Sequence, residues 1–218
     1  MSDKAEEKRI VWIGNKRLEG ILRRPAGPIG LAIFAHGAGS SHLSPRNNRV
    51  AEALGQRGIA TLLFDLLTIE EAADRANVFD IPLLSVRLLE ALDWAQDQPG
   101  LGALPVGLFG ASTGAAAALV AAARAPERID AVVSRGGRAD MAGDELPRVR
   151  APVLLIVGGL DHPVIEMNEA AAGEMTCAHR LEIVPGATHL FEEPGTLDRV
   201  VELAGDWFTE HFRAAARG

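Results

Sequence analysis

Val106-Gly107-Leu108-Phe109-Gly110-Ala111-Ser112-Thr113-Gly114-Ala115-Ala116-Ala117 joins a short apolar run to an alanine-rich one through a serine set between two glycines. Pro105 to Phe109 reads as a buried strand, and Ala115 to Ala125 as a helix that must pack closely. A chain that passes at once from strand to helix strains the backbone at the corner, and side chains on either flank would collide with neighbouring backbone. Gly110 and Gly114 meet that demand. The turn lifts the Ser112 hydroxyl out of the sheet and sets it at a helix N-terminus, where partial positive charge faces a developing oxyanion. Ser112 is therefore a candidate nucleophile on a strand-to-helix elbow. The bare pentapeptide also arises by chance, and a serine at this place equally suits a helix cap. A phosphate-binding loop is a weaker match, because its lysine is absent.

Outward from the elbow, apolar runs recur at Leu31 to Ala35, Ile59 to Phe64, Ile129 to Ser134 and Val153 to Val157, each bounded by glycine, proline or charge. Between them lie helical patterns. One opens with Ser44 as N-cap before Pro45 and stops at Gly58; another runs from Asp80 to about Gly100. The last carries Leu197, Val200, Val201, Ala204, Trp207, Phe208 and Phe212 as an apolar stripe. Such alternation predicts an α/β fold, a mostly parallel sheet covered by helices on both faces. Ile10 to Ile13 and Leu18 to Leu22, joined by Gly14-Asn15-Lys16-Arg17, predict an antiparallel hairpin on its edge. Leu181 to Val184 brings the total to about eight strands.

The 218 residues suit one domain over 9–218, preceded by a flexible tail at 1–8. With 48% hydrophobic and 23% charged residues the chain should fold. Its net charge of -7 argues against nucleic-acid or anionic-membrane partners, which demand a basic surface. Cys177 is the single cysteine, so neither an internal disulfide nor a cysteine zinc site can form, which favours a reducing compartment. Met1 to Arg9 lack the apolar core of a secretory signal, and no run approaches the length of a membrane span. The expectation is a cytoplasmic protein.

A serine nucleophile needs a base, an orienting acid and an oxyanion hole. Among six histidines, His189 stands in Pro185-Gly186-Ala187-Thr188-His189, just beyond the last strand and so at the carboxyl edge that Ser112 occupies. His179 precedes that strand, and His211 rides the final helix. Asp161 follows Val153 to Val157 and a flexible Gly158-Gly159, which delivers a carboxylate to the same edge. It equally suits an N-cap before Pro163, with Asp140 and Glu192 as the alternative acids. Ile33-Phe34-Ala35-His36-Gly37-Ala38-Gly39-Ser40 ends an earlier strand in a glycine-rich turn. The amides of Ala38 and Thr113 are assigned to the oxyanion hole, and His36 to bracing the turn. An ordinary turn is the competing account of those glycines.

Taken together, these residues resemble the α/β-hydrolase superfamily, and within it the small dienelactone hydrolase-like group. The hairpin, the His36-Gly37-Ala38-Gly39 turn, the serine elbow, Gly159-Leu160-Asp161 and Gly186-Ala187-Thr188-His189 occur in the expected order, and the order Ser, Asp, His is the one associated with this type of hydrolase. Ser44-Pro45-Arg46-Asn47 and Ser134-Arg135-Gly136-Gly137-Arg138 also look like hydrolase domains that bacteria carry beside a phosphoribosyltransferase, with no such partner in these 218 residues. One departure stands out: dienelactone hydrolases proper use a cysteine nucleophile, and here the elbow carries Ser112, which makes dienelactone a poor expectation as substrate. Dehalogenases and epoxide hydrolases of similar fold use an aspartate there.

The resemblance implies an α/β-hydrolase fold without a large cap domain, since only a short polar loop lies between Gly137 and Ala151. It implies a hydrolase that cleaves a small or soluble carboxylic ester through an acyl-enzyme, with no cofactor and no metal. A thioesterase, an acyltransferase or a catalytically silent binding module are the alternatives. Arg46, Arg135 and Arg138 should lie near the same edge, where one or more of them would contact an anionic group on the substrate, carboxylate or phosphate, or where all simply pair with neighbouring acids.

Overall fold

Side chains alternate across a strand, so each strand of a covered sheet feeds two cores. The computed structural model describes residues 7–217, and in it β3 (Gly30–Ala35) sends Leu31 and Ile33 to one face and Ala32 and Phe34 to the other. Phe34 stacks on Phe109 of β5 (Val106–Ala111) at 4.7 Å between ring centres. The remaining strands are β1 (Glu7–Ile13), β2 (Leu18–Arg24), β4 (Ile59–Phe64), β6 (Ala131–Arg135), β7 (Val153–Gly158) and β8 (His179–Val184). They form one eight-stranded sheet in the order β1-β2-β4-β3-β5-β6-β7-β8. β1 and β2 are the antiparallel hairpin, β2 joins β4 antiparallel, and all later pairings are parallel.

On one face lie α1 (Pro45–Gln56) and α7 (Thr196–Ala215); on the other lie α4 (Ile81–Gln96), α5 (Thr113–Arg124) and α6 (His162–Glu174). The α1 start is the expected one, with Ser44 Oγ accepting from Asn47 N at 3.4 Å and Pro45 in the first turn. The α/β-hydrolase fold expected from the sequence is therefore the one observed.

The chain steps from β3 outward to β4, then crosses back over β3 to form β5. Loops leaving the carboxyl ends of β3 and β5 thus diverge and open a crevice. The glycine-rich turn His36-Gly37-Ala38-Gly39 leaves β3, and Ser112 follows β5.

Some boundaries differ from expectation. Of the tail at 1–8, residues 1–6 lie outside the described residues, while Glu7 and Lys8 already belong to β1, paired with Arg24 and Arg23. Helix α4 ends at Gln96 instead of about Gly100, and tight turns carry the chain to β5. Two short helices, α2 (Ile69–Ala73) and α3 (Arg75–Val78), precede it; Thr68 and Glu71 form a reciprocal capping box on α2. The segment expected as a polar loop is 3-10 helical, Ala139–Arg148, with a kink at Gly143. It buries Ala139, Ala142 and Leu146 against the α5 side of the sheet and forms no cap domain. Among the described residues no helix is long and apolar enough to cross a membrane.

Candidate active site

Ser112 stands between the last residue of β5 and the first of α5 with φ 51° and ψ -123°. That conformation costs a non-glycine residue about 1–3 kcal/mol and is held from both sides: Ser112 N–H donates to the Arg135 carbonyl at 3.3 Å, and Arg138 N–H donates to the Ser112 carbonyl at 3.0 Å. Although Ser112 occupies the N-cap position, its side chain makes no capping bond. The hydroxyl is left for other work.

Both flanking glycines are used as expected. A Cβ at Gly110 would overlap the backbone of Ala115, and one at Gly114 would overlap the carbonyl oxygen of Ala35 and lie 2.6 Å from that of His36. Because those neighbours are backbone, they cannot rotate away. Gly114→Ala should lower unfolding stability by about 3 kcal/mol, measured by urea denaturation; a loss under 1 kcal/mol would mean that the β3 turn yields easily.

Asp161 occupies the N-cap position of α6, again without a side-chain capping bond. Its Oδ2 lies 2.6 Å from His189 Nδ1 instead. The carboxylate is thus directed at the imidazole and not at the amides of its own helix. The Gly158-Gly159 pair is not a hinge. The loop carrying His189 lies directly on it: a Cβ at Gly158 would stand 2.5 Å from the Ala187 carbonyl oxygen. Gly159 N–H and Leu160 N–H donate to the carbonyls of Val184 and Ala187 at 2.8 and 2.9 Å. The loops carrying Asp161 and His189 are tied together by backbone. The alternative acids are engaged elsewhere, Asp140 with Arg138 and Glu192 with Arg46.

Ser112 and His189 line one cavity of about 210 Å³, together with Gly37, Ala38, Arg46 and Arg135. No hydrogen bond joins Ser112 to the imidazole among the described residues. His179 opens β8 at the opposite edge of the sheet, and Cys177 lies just before it, far from the elbow. Burial pushes the Cys177 thiol up, which disfavours a thiolate there.

His36 braces the turn. Its Nε2 accepts from Leu66 N–H at 3.1 Å, which leaves Nδ1–H to donate to the Gly37 carbonyl at 3.0 Å. Burial holds its pKa below the ordinary value, so it is a neutral strut with both nitrogens committed. Ala38 N–H, assigned to the oxyanion hole, donates to Thr113 Oγ1 at 3.1 Å. The sequence did not point to that bond between two distant loops. Thr113 N–H belongs to the first turn of α5, whose amides lack intrahelical partners.

The three arginines part company. Arg138 does not line the cavity; Asp140 takes its guanidinium in a two-pronged pair at 2.9 and 2.8 Å and holds its pKa above the ordinary value. Arg46 and Arg135 do line it.

The chain matches the Dienelactone hydrolase family over residues 31–213. It belongs to that family. A dienelactone hydrolase from Anabaena variabilis has a crystal structure 53% identical in sequence, with TM-score 0.90 over 96% of this chain and 99% of that one. A protein of Mycobacterium tuberculosis, named as a candidate phosphoribosyl transferase, is 56% identical over 206 residues. The match takes in 94% of this chain and 46% of that protein, so this family member spans about half the length of the curated relative. Est1E from Butyrivibrio proteoclasticus, 17% identical with TM-score 0.78 over 94% of this chain and 99% of that one, shares the fold. As a member of the dienelactone hydrolase family, the chain is a hydrolase of the α/β type.

Proposed function

We propose that this hydrolase cleaves a small carboxylic ester through Ser112, His189 and Asp161. Ser112 Oγ attacks the acyl carbon while His189 takes its proton; the imidazolium that forms is oriented and stabilised by Asp161. Amides of Ala38 and Thr113 face the tetrahedral oxyanion. Water, activated by the same imidazole, then releases the acyl group. The observation that carries this proposal is the 2.6 Å contact between Asp161 Oδ2 and His189 Nδ1, made by a carboxylate that leaves its own helix uncapped. The strained, uncapped Ser112 in the same cavity supports it. The single cysteine supports a place in the reducing cytoplasm.

A fluorophosphonate probe tests the proposal directly. Mass spectrometry should find one adduct, on the peptide holding Ser112, and none in Ser112→Ala. An unlabelled wild type, under conditions that label a known serine esterase, would count decisively against it.

A further inference from the structure

Three arginines are almost wholly buried: Arg23, Arg87 and Arg135, at 1%, 6% and 7% exposure. Two have acidic partners. Arg23 meets Glu52 and Asn48, and Arg87 meets Glu71 and Glu90. Arg135 makes no ion pair or side-chain hydrogen bond among the described residues, and its Nε and Nη1 are buried without a partner. A cation in that state is costly unless something pairs with it. Burial, with repulsion from Arg46, lowers its pKa to about 10, so it remains charged near neutrality.

Arg135 lines the cavity of Ser112 and His189, and no carboxylate lines that cavity. Arg46 stands beside it, spending Nη1 on Glu192 at 2.8 Å while its Nε is buried and unpaired. The N-terminus of α1, which has no acidic residue in its first turn, adds partial positive charge. Asn47 Oδ1 is likewise buried without a partner; a half-turn of that amide presents its N–H donors in the same place.

A second cavity of about 230 Å³ adjoins the first, sharing Gly37, Ala38 and Ser40; its lining is mainly apolar, with Leu66, Leu67, Ile69, Val78 and Leu84, and its one charged residue is the acid Asp65, which would repel an anion. The reaction assigns the two halves. When the tetrahedral intermediate collapses, the bond from the acyl carbon to the alcohol oxygen breaks, and His189 returns the serine proton to that oxygen. The alcohol must therefore lie beside His189, in the cationic cavity, and the acyl chain in the apolar one.

We propose that the ester cleaved at Ser112 carries a carboxylate or phosphate on its alcohol side, held by Arg135 with Arg46, and an uncharged apolar acyl group. This rests on the esterase function proposed above. Arg135 is then a substrate-binding residue that sets specificity.

The test uses the whole chain and two readouts. In thermal melts at matched ionic strength, sodium phosphate and sodium 3-hydroxypropanoate raise the wild-type Tm relative to chloride; they leave Arg135→Met unmoved. Without added anion, Arg135→Met melts at or above wild type, because an unpaired buried cation has become an apolar chain of similar length. In turnover, wild type prefers 3-(butanoyloxy)propanoate to its neutral amide by roughly 30-fold in kcat/KM, the worth of a charged hydrogen-bonded pair. That ratio falls below about threefold in Arg135→Met and is partly kept in Arg135→Lys. Monomethyl glutarate, with its charge on the acyl side, gains no preference. Replacing the carboxylate by 2-(butanoyloxy)ethyl phosphate shows which anion the cavity favours.

Equal use of charged and neutral esters by wild type overturns the proposal. So does an Arg135→Met protein that melts lower and keeps the preference, since Arg135 would then be structural. Failure of Ser112 to take a fluorophosphonate defeats the esterase function instead, while the phosphate melts still decide whether Arg135 holds an anion.

Discussion

Ser112→Gly should melt a few degrees above the wild type while losing turnover by a factor on the order of 10⁶ in kcat, the usual size of losing a triad nucleophile. The two effects share one origin. At φ 51° and ψ -123° the serine Cβ sits in a backbone region that only glycine enters freely. Relief of about 1–3 kcal/mol of strain is partly offset by the extra freedom glycine gives the unfolded chain. A net gain of about 1 kcal/mol corresponds to about 3 °C for a domain of this size. Ser112→Ala is the control: it loses the hydroxyl and keeps the Cβ, so activity falls without the gain in Tm. A glycine variant that melts lower than wild type would show that the elbow stores no strain.

Asp161→Asn should cut kcat by about 10⁴-fold with the fold intact. Asparagine fills the same space but cannot stabilise the imidazolium, and its amide favours the ring tautomer that leaves no free nitrogen toward Ser112. Because Asp161 makes no capping bond to α6, little helix stability should be lost, and circular dichroism melts should stay close to wild type. Activity within tenfold of wild type would remove Asp161 from the mechanism.

Strands β3, β5 and β7 were legible because each is a short apolar run ended by glycine, and α1 because Ser44-Pro45 marks its start. Helices α2 and α3 were not: they are single turns, and Ile69, the most apolar residue there, is exposed. The 3-10 segment Ala139–Arg148 holds Gly143, Pro147 and the acids Asp140, Asp144 and Glu145, so its pattern suggested a loop. At the site, Ser112 and Asp161 each stood at a helix start, where a cap and a catalytic group use the same residue types. Only the direction of the side chain separates those roles, and direction depends on a partner far along the chain. The arginines show the same limit. Asp140, two residues beyond Arg138, was a visible hint of their pairing. Nothing local marked Arg135 as the one left without a carboxylate, since that depends on what the finished fold puts around it.

The bond from Ala38 N–H to the Thr113 hydroxyl has a kinetic meaning. On the proposed mechanism this amide is already satisfied when the protein is at rest, so an arriving carbonyl only exchanges one neutral acceptor for another and gains little affinity. Once negative charge gathers on that oxygen the exchange becomes favourable, because a charged acceptor outbids a hydroxyl. The resting enzyme thus keeps a stand-in that a ground-state ligand displaces for almost no gain. The contact then speeds the chemical step and leaves substrate affinity nearly untouched.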